Sequence, residues 1–304
     1  MKVFVTGATG FVGREILGRL HAAGYSIRIL ARNPKSEQLQ ELVARYPLEV
    51  HAGNVFDADS LAGALDGMHA IIHLVGIISE IGASTFYNVH VGGTQNLIAA
   101  AAQAGIERFV HMSALGTRPD AVSRYHQTKW LAEEAVRHSD LDYTIFRPSL
   151  IFGRDDHFVN TFARIIRFSP VIPILAANDT RFQPVAVETV AAAFARAVVE
   201  PRAISGTYDL CGPEALTLSQ IVDEICAVMG RKRLKVRLPL WVARKQATLL
   251  EFIFPRLFRK AAPLNRDQLM MLQEDNIGDP QPAIRLFRLE PIPFSEGTAR
   301  YLAP

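Results

Sequence analysis

Tyr125 and Lys129, in the stretch YHQTK, stand four positions apart. Helical residues at that spacing share a face, so a phenol and an ammonium can address one ligand together. An unperturbed phenol titrates near ~10, and a neighbouring ammonium that stabilises the phenolate brings proton exchange nearer to neutrality. The pair reads as a proton relay toward a hydroxyl or carbonyl substrate. Two plainer readings compete: a clamp that only holds a cofactor, and the polar edge of a surface helix.

A second constellation is built on glycine. Gly7, Gly10 and Gly13 form GxxGxxG between the apolar, β-branched run KVFVT and the amphipathic pattern REILGRLHAAG. At a strand-to-helix junction, glycines allow a tight turn and close backbone approach, and the helix N-terminus offers amides to a pyrophosphate. Thr9, Phe11 and Val12 belong to the same expected cradle. A turn that binds nothing is the competing reading of an isolated triplet.

About 20 residues beyond such glycines, an acidic residue usually takes the ribose hydroxyl of NAD, or an arginine accommodates the extra phosphate of NADP. Here the second strand pattern ends Leu30, Ala31, Arg32 with no Asp or Glu. Arg32 and Lys35 suit a 2′-phosphate, so NADP(H) is favoured over NAD(H), the alternative being two solvated charges. Asn54, followed by Val55 at the end of the third strand pattern, reads as an adenine contact or as a turn former.

The elements that must position these groups alternate along the chain. Strand patterns at KVFVT, SIRILAR, LEVHAGNV, AIIHLVGI, RFVHMS and YTIFRP are separated by helical patterns. These include SEQLQELVARY, DADSLAGAL, the Ala-rich NVHVGGTQNLIAAAAQAG and the segment bearing YHQTK. Repeated βα units predict an α/β fold with a doubly wound parallel sheet covered on both faces. Residues 1–150 form the expected Rossmann domain, with segments near 184–213 returning to it. Residues 151–183 and 214–304 form a smaller, discontinuous substrate or partner region, which includes the Pro-punctuated SPVIPIL.

Bulk properties exclude other classes. A chain of 304 residues with net charge +3 and 49% hydrophobic residues is an ordinary globular composition, too weakly basic to argue for nucleic acid. Cys211 and Cys226 lie far apart without a CxxC pattern, which disfavours zinc and a disulfide framework. Asp155, Asp156 and His157 read as a loop capping the next helix rather than a metal site. His73 reads as a core histidine with a satisfied nitrogen. No leader pattern and no uninterrupted apolar span is visible, so a cytoplasmic protein is expected.

With the glycine loop and YxxxK joined by HLVGI, SALG from Ser113 to Gly116, RPSLIFG from Arg147 to Gly153, FQPVAVETV and YDLCGPE, the chain resembles the short-chain dehydrogenase/reductase superfamily. The resemblance is to its extended or atypical members, in the branch containing the Rossmann-like accessory subunit of respiratory complex I and its bacterial relatives. It covers the Rossmann part and much of the remainder. It implies an NAD(P)-dependent oxidoreductase or epimerase-like protein in which Tyr125 is the acid/base, Lys129 lowers its pKa and holds the nicotinamide ribose, and Ser113 orients the substrate oxygen. Leu74, Val75, Gly76 and Pro148 are then cofactor contacts. Ala114 stands where relatives often carry the orienting hydroxyl. His90 stands where many carry an asparagine that holds a relay water, and it reads as a buried histidine satisfied by backbone. The alternative is a non-catalytic dinucleotide-binding accessory or sensor protein.

The tail RKRLKVRLPLWVARKQATLLEFIFPRLFRK interleaves basic residues with Trp241, Phe252, Phe254 and Phe258. Val242, Leu249, Leu250, Ile253 and Leu257 follow helical spacing, with Arg244, Lys245, Arg256, Arg259 and Lys260 among them. Pro255 is expected to split the pattern into two short helices. A peripheral contact at the inner face of an anionic membrane, or with a respiratory complex, is one reading. A packed helical subdomain with solvated arginines is the other.

Overall fold

A computed structural model describes residues 1–175, 180–257, 262 and 264–303, the side chains of 255 and 256 excepted. The chain runs β1 (Lys2–Thr6), α1 (Phe11–Ala22), β2 (Ser26–Ala31), α2 (Glu37–Arg45), β3 (Leu48–Ala52), β4 (Ala70–His73) and α3 (Gly93–Ala104). It continues with β5 (Arg108–Met112), α4 (Arg124–Arg137), β6 (Asp142–Pro148), β7 (Ile151–Phe152), α5 (Phe158–Phe168), β8 (Val171–Leu175), β9 (Arg181–Phe182), β10 (Val185–Ala186) and α6 (Val187–Ala197). Then come β11 (Gly206–Leu210), β12 (Leu216–Thr217), α7 (Leu218–Val228), β13 (Leu234–Leu238), α8 (Leu240–Leu257), α9 (Arg266–Met271), α10 (Gln281–Phe287) and α11 (Phe294–Leu302).

Seven strands form one parallel sheet in the order β11-β6-β5-β4-β1-β2-β3. Alternate residues of each strand face opposite core layers. Val3 and Val5 pack with α1, α2, α6 and α10, while Phe4 faces Leu97 and Ala101 of α3 and Val136 of α4. Both faces are thus covered, as parallel strands require. The winding direction reverses between β1 and β4, and the crevice beyond their carboxyl ends is where such a sheet receives ligands.

A second group of elements packs beside the sheet. Phe152, Val159, Ile166, Ile172, Ile225 and Phe294 share its core. VIPIL, expected to be irregular, is β8, paired in parallel with β13 from the basic tail. Pro173 fits there because its partners lie on one side only, so its missing N–H breaks no ladder on the other.

Three local expectations are corrected. DADSLAGAL forms only a 3-10 turn at Asp59–Leu61, because Gly63 and Gly67 both take positive φ and end any helix. The Ala-rich helix opens with a π turn at Tyr87–Gly92 before α3 begins. Pro255 does not split the tail helix: α8 runs unbroken from Leu240 to Leu257, since a proline in the last turn forfeits a single ladder bond.

Candidate functional site

The glycine loop occupies the crevice between β1 and β4. Gly7 has φ +75°, a conformation L side chains rarely adopt, and a Cβ there would stand 3.1 Å from the Leu74 carbonyl carbon and 3.2 Å from Val75 N. A Cβ on Gly13 would come within 2.7 Å of Ala8 Cα, so α1 can approach β1 only with glycine at that position. Gly10 caps α1, donating its N–H to Gly7 O at 3.0 Å. The first-turn amides at Phe11, Val12 and Gly13 have no intrahelical acceptor, and the first turn itself carries no acidic residue, although Asp155 lies 3.4 Å from the Arg14 guanidinium. Thr9 is half-buried in the same loop, and the Phe11 ring packs against Gly153. The cradle a Cβ would fill, together with free amides at a helix N-terminus, fits a dinucleotide pyrophosphate. Arg14, which the sequence reading passed over, adds a buried Nε with no partner among the described residues.

Arg32 and Lys35 are exposed just past β2, with no carboxylate in the run from Ala31 to Ser36. Asn54 keeps a half-buried side chain, while its backbone is tied by Ser60 Oγ, which accepts from Asn54 N at 2.9 Å and donates to its O at 3.0 Å. Val55 is buried against Gly93 of α3 and belongs to the core layer. Pro148 is buried at the end of β6, its carbonyl accepting the Leu115 N–H at 2.9 Å.

AIIHLVGI leaves the sheet after His73, and the released Leu74–Gly76 segment turns over Lys129. A Cβ on Gly76 would meet Lys129 Nζ at 3.1 Å and His90 Nε2 at 3.6 Å, so glycine is what lets this backbone lie on the ammonium. Lys129 is buried, and Nζ donates to Met112 O at 2.8 Å. Burial lowers its pKa to about 8, opposed by the Glu133 carboxylate one turn on.

Tyr125 lies edge-on to His90 with ring centroids 5.4 Å apart, and edge-on to Phe86 at 6.0 Å. Burial first, and the Asp267 carboxylate second, push the phenol up to about 12. The sequence reading expected Lys129 to lower this pKa; instead the ammonium is committed to Met112 O. Ser113 is buried at the end of β5, donating its N–H to Phe146 O at 2.7 Å, with Oγ 3.4 Å from Thr117 Oγ1.

His90 Nε2 accepts the Ile77 N–H at 3.1 Å, so Nδ1 carries the proton and donates to Thr128 Oγ1 at 2.9 Å. Its backbone satisfaction was expected; the threonine was not. Burial lowers its pKa to about 2. His73 bonds Thr6 Oγ1 at 2.7 Å through Nδ1, while Nε2 has no partner among the described residues. Burial holds His73 at about 3 and keeps its neighbour His111 well below the usual histidine value. The floor under Lys129 is therefore aromatic and uncharged.

Two distant contacts fix α4. Fully buried Glu133 accepts from Arg147 Nε at 2.8 Å and from an Arg137 NH2 at 2.5 Å, tying α4 to β6. At the other end, Asp267 accepts the backbone N–H groups of Arg124 at 2.8 Å and Tyr125 at 3.1 Å. Arg118 and Glu274 form a bidentate pair that holds the same C-terminal segment over the β5 end. A cleft of about 700 Å³ opens beside Tyr125, lined by Phe86, Arg124, Arg244, Thr248, Asn265 and Asp267 among others.

Asp156 bears out the capping loop, accepting the Val159 N–H at 2.6 Å at the start of α5. No group of metal-ligating side chains occurs among the described residues. In the tail, Trp241 and Phe252 are exposed and Phe254 is half-buried, so the aromatics are not all packed inside. Phe258, Arg259 and Lys260 lie outside the described residues. No described helix is long and apolar enough to cross a membrane.

Residues 7–163 match the NAD(P)H-binding family. Subunit 9 of the NADH dehydrogenase (ubiquinone) 1 alpha subcomplex, mitochondrial, from Mus musculus is 31% identical over 240 residues, covering 78% of this chain and 64% of the mouse protein. The Arabidopsis thaliana counterpart is 28% identical over 284 residues, covering 90% of this chain and 70% of its own length. A ceramide reductase from Caulobacter vibrioides is 30% identical over 239 residues, covering 78% of this chain and 73% of its own. Among solved structures, dTDP-glucose 4,6-dehydratase from Streptomyces venezuelae, with NAD and TYD bound, superposes with a TM-score of 0.75 at 20% identity, covering 99% of this chain and 96% of that one. That likeness concerns the fold. With its glycine cradle at the switch point of a seven-stranded parallel sheet, this chain belongs to the NAD(P)H-binding Rossmann family, among the short-chain dehydrogenase/reductase and epimerase–dehydratase proteins that include the complex I subunit.

Proposed function

We propose that the protein is an NAD(P)-dependent oxidoreductase or epimerase-like enzyme acting on a hydroxyl or carbonyl substrate in the cleft beside Tyr125. The observation that carries this reading is that two residues lining the cleft touch Tyr125: Phe86 packs against its ring and Asp267 accepts its backbone N–H. Gly7 to Gly13 hold the pyrophosphate, and Lys129 with Gly76 hold the nicotinamide ribose. The bound nicotinamide supplies hydride exchange.

With its pKa pushed up to about 12, Tyr125 is a neutral phenol near pH 7. A neutral phenol is suited to donate a proton to a carbonyl oxygen, so the reading is tested in the direction of carbonyl reduction. Ser113 orients the substrate oxygen. Arg32 and Lys35 favour NADPH over NADH. The test is oxidation of reduced cofactor with a panel of carbonyl and quinone substrates, preceded by native mass spectrometry to identify any copurified dinucleotide. Absence of turnover with every substrate overturns the enzyme reading.

A second reading rests on the pKa of Tyr125, raised by burial and by the Asp267 carboxylate with no cation lowering it, and on the mitochondrial complex I subunits among the relatives. The dinucleotide then stabilises a fold used for contact with a respiratory complex or a membrane through the basic, aromatic tail. Tight cofactor binding without turnover supports this alternative.

A further inference from the structure

The helix α8 presents three different sides. Ala243 and Ala247 are buried against Leu269. Arg244, Thr248 and Glu251 line the cleft beside Tyr125. Trp241, Lys245 and Leu249 recur at helical spacing on the remaining side, with Lys245 Nζ 5.2 Å from the Trp241 ring centroid. Trp241 is 64% exposed and Leu249 57%.

This outward side adjoins an uncovered apolar ribbon in the chain. Val171 pairs with Leu234, and Pro173 with Val236, in the two-stranded β8–β13 sheet, and paired residues of a parallel ladder point the same way. Ile172 and Ile174 turn inward to the core, while Val171, Pro173, Leu234 and Val236 are exposed, Leu234 at 65%. Phe168, at the end of α5 and three residues before β8, is 79% exposed. The stretch from Arg231 to Leu250 contains seven Lys or Arg and no Asp or Glu. Of these cations, Lys235 is paired with Asp223, and Arg237 pairs in the ladder with the inward-facing Ile174, whereas Arg231, Lys232 and Lys245 are exposed next to the apolar residues in the chain.

We propose that this composite face, formed by the end of α5, the β8–β13 ribbon and the outward side of α8, docks on an anionic lipid bilayer. It deepens the tail-contact reading above, but draws on Phe168 and Val171, which lie outside the tail. Large exposed apolar side chains with a tryptophan, flanked by cations without carboxylate partners among the described residues, match the acyl boundary and headgroup layer of such a surface. Because no described helix can cross a membrane, the attachment is peripheral. The cleft is lined by the adjacent side of the same α8 helix, so docking sets its wall beside the lipid.

The test is cosedimentation of the full chain with vesicles of phosphatidylcholine alone and of phosphatidylcholine mixed with phosphatidylglycerol. Binding is expected to the mixed vesicles, to weaken at high salt, and to fall about tenfold both in Trp241→Ser and in the double variant Phe168→Ser with Leu234→Ser. Near-ultraviolet circular dichroism checks that each variant is folded. Brominated lipid should quench tryptophan fluorescence in the unaltered chain, and this quenching should be lost in Trp241→Ser. If Trp241→Ser weakens binding but the double variant does not, the composite face is overturned while a tail-only contact stands. Failure of the unaltered chain to bind, or to be quenched, overturns the bilayer altogether. Cofactor oxidation in solution is scored separately and decides the enzyme reading.

Discussion

Asp267 accepts a hydrogen bond from the backbone N–H of Tyr125 at 3.1 Å, across 142 residues of sequence. A carboxylate near a helix start stabilises exposed amides and the positive end of the dipole. The same charge raises the pKa of the Tyr125 phenol, after burial. One contact thus joins the stability of α4 to the acidity of the group it carries.

Asp267→Ala should lower stability by about 1 kcal/mol, because two amides at the start of α4 lose their acceptor. It should also lower the apparent pKa of Tyr125, shifting the alkaline limb of a pH–rate profile to lower pH. Denaturant titration and the profile check the two effects; an unmoved limb means that Asp267 does not govern the phenol.

Tyr125→Phe should keep fold and cofactor binding and lose about 100-fold or more in turnover, the usual scale of a positioned proton donor. Steady-state kinetics on the substrate found in the carbonyl panel decides this. Turnover close to normal would show that the relay is not used.

Arg32→Ala should weaken NADPH by about 1–3 kcal/mol and leave NADH nearly unchanged, the loss expected of one charge-assisted phosphate contact. Parallel fluorescence titrations of the two cofactors test it. Equal losses, or tighter NADH binding in the unaltered protein, refute the assignment of the 2′-phosphate.

Glu133→Ala should destabilise the protein by roughly 3 kcal/mol, since it removes the fully buried carboxylate that Arg147 and Arg137 share, while Arg137 keeps its pair with Glu134. Cofactor affinity should fall as well, because Glu133 favours the Lys129 ammonium. Thermal denaturation and cofactor titration report the pair, and a loss below about 1 kcal/mol would mean that the cluster contributes little.

Acid should unfold the protein through its buried histidines. His73 and His90 have folded pKa values lowered to about 3 and about 2, so below pH 6.5 the unfolded chain binds protons that the folded chain does not. Stability is present in full above pH 6.5 and is lost as pH falls toward those values, by about 2 kcal/mol per histidine at pH 5. Urea titrations at pH 7 and pH 5 measure the difference, and a flat response would place protonatable nitrogens within reach of water.

The sequence alone determined what depends on neighbours along the chain. GxxGxxG at a strand-to-helix junction, the βα alternation and the Tyr125–Lys129 spacing are local, because backbone sterics and helical period act over a few residues. These were enough to read the parallel sheet, the cradle and the family. Even local reading failed where glycine ended a helix, at Gly63 and Gly67, or where β4 released Leu74–Gly76 to cover Lys129. Only the tertiary structure brought Asp267 to Tyr125, Glu274 to Arg118 and β13 to β8, since each contact closes a long loop that no periodicity marks. The protonation of the site followed those contacts. Burial, which a spacing of residues cannot express, raised the Tyr125 phenol to about 12 and lowered Lys129 to about 8.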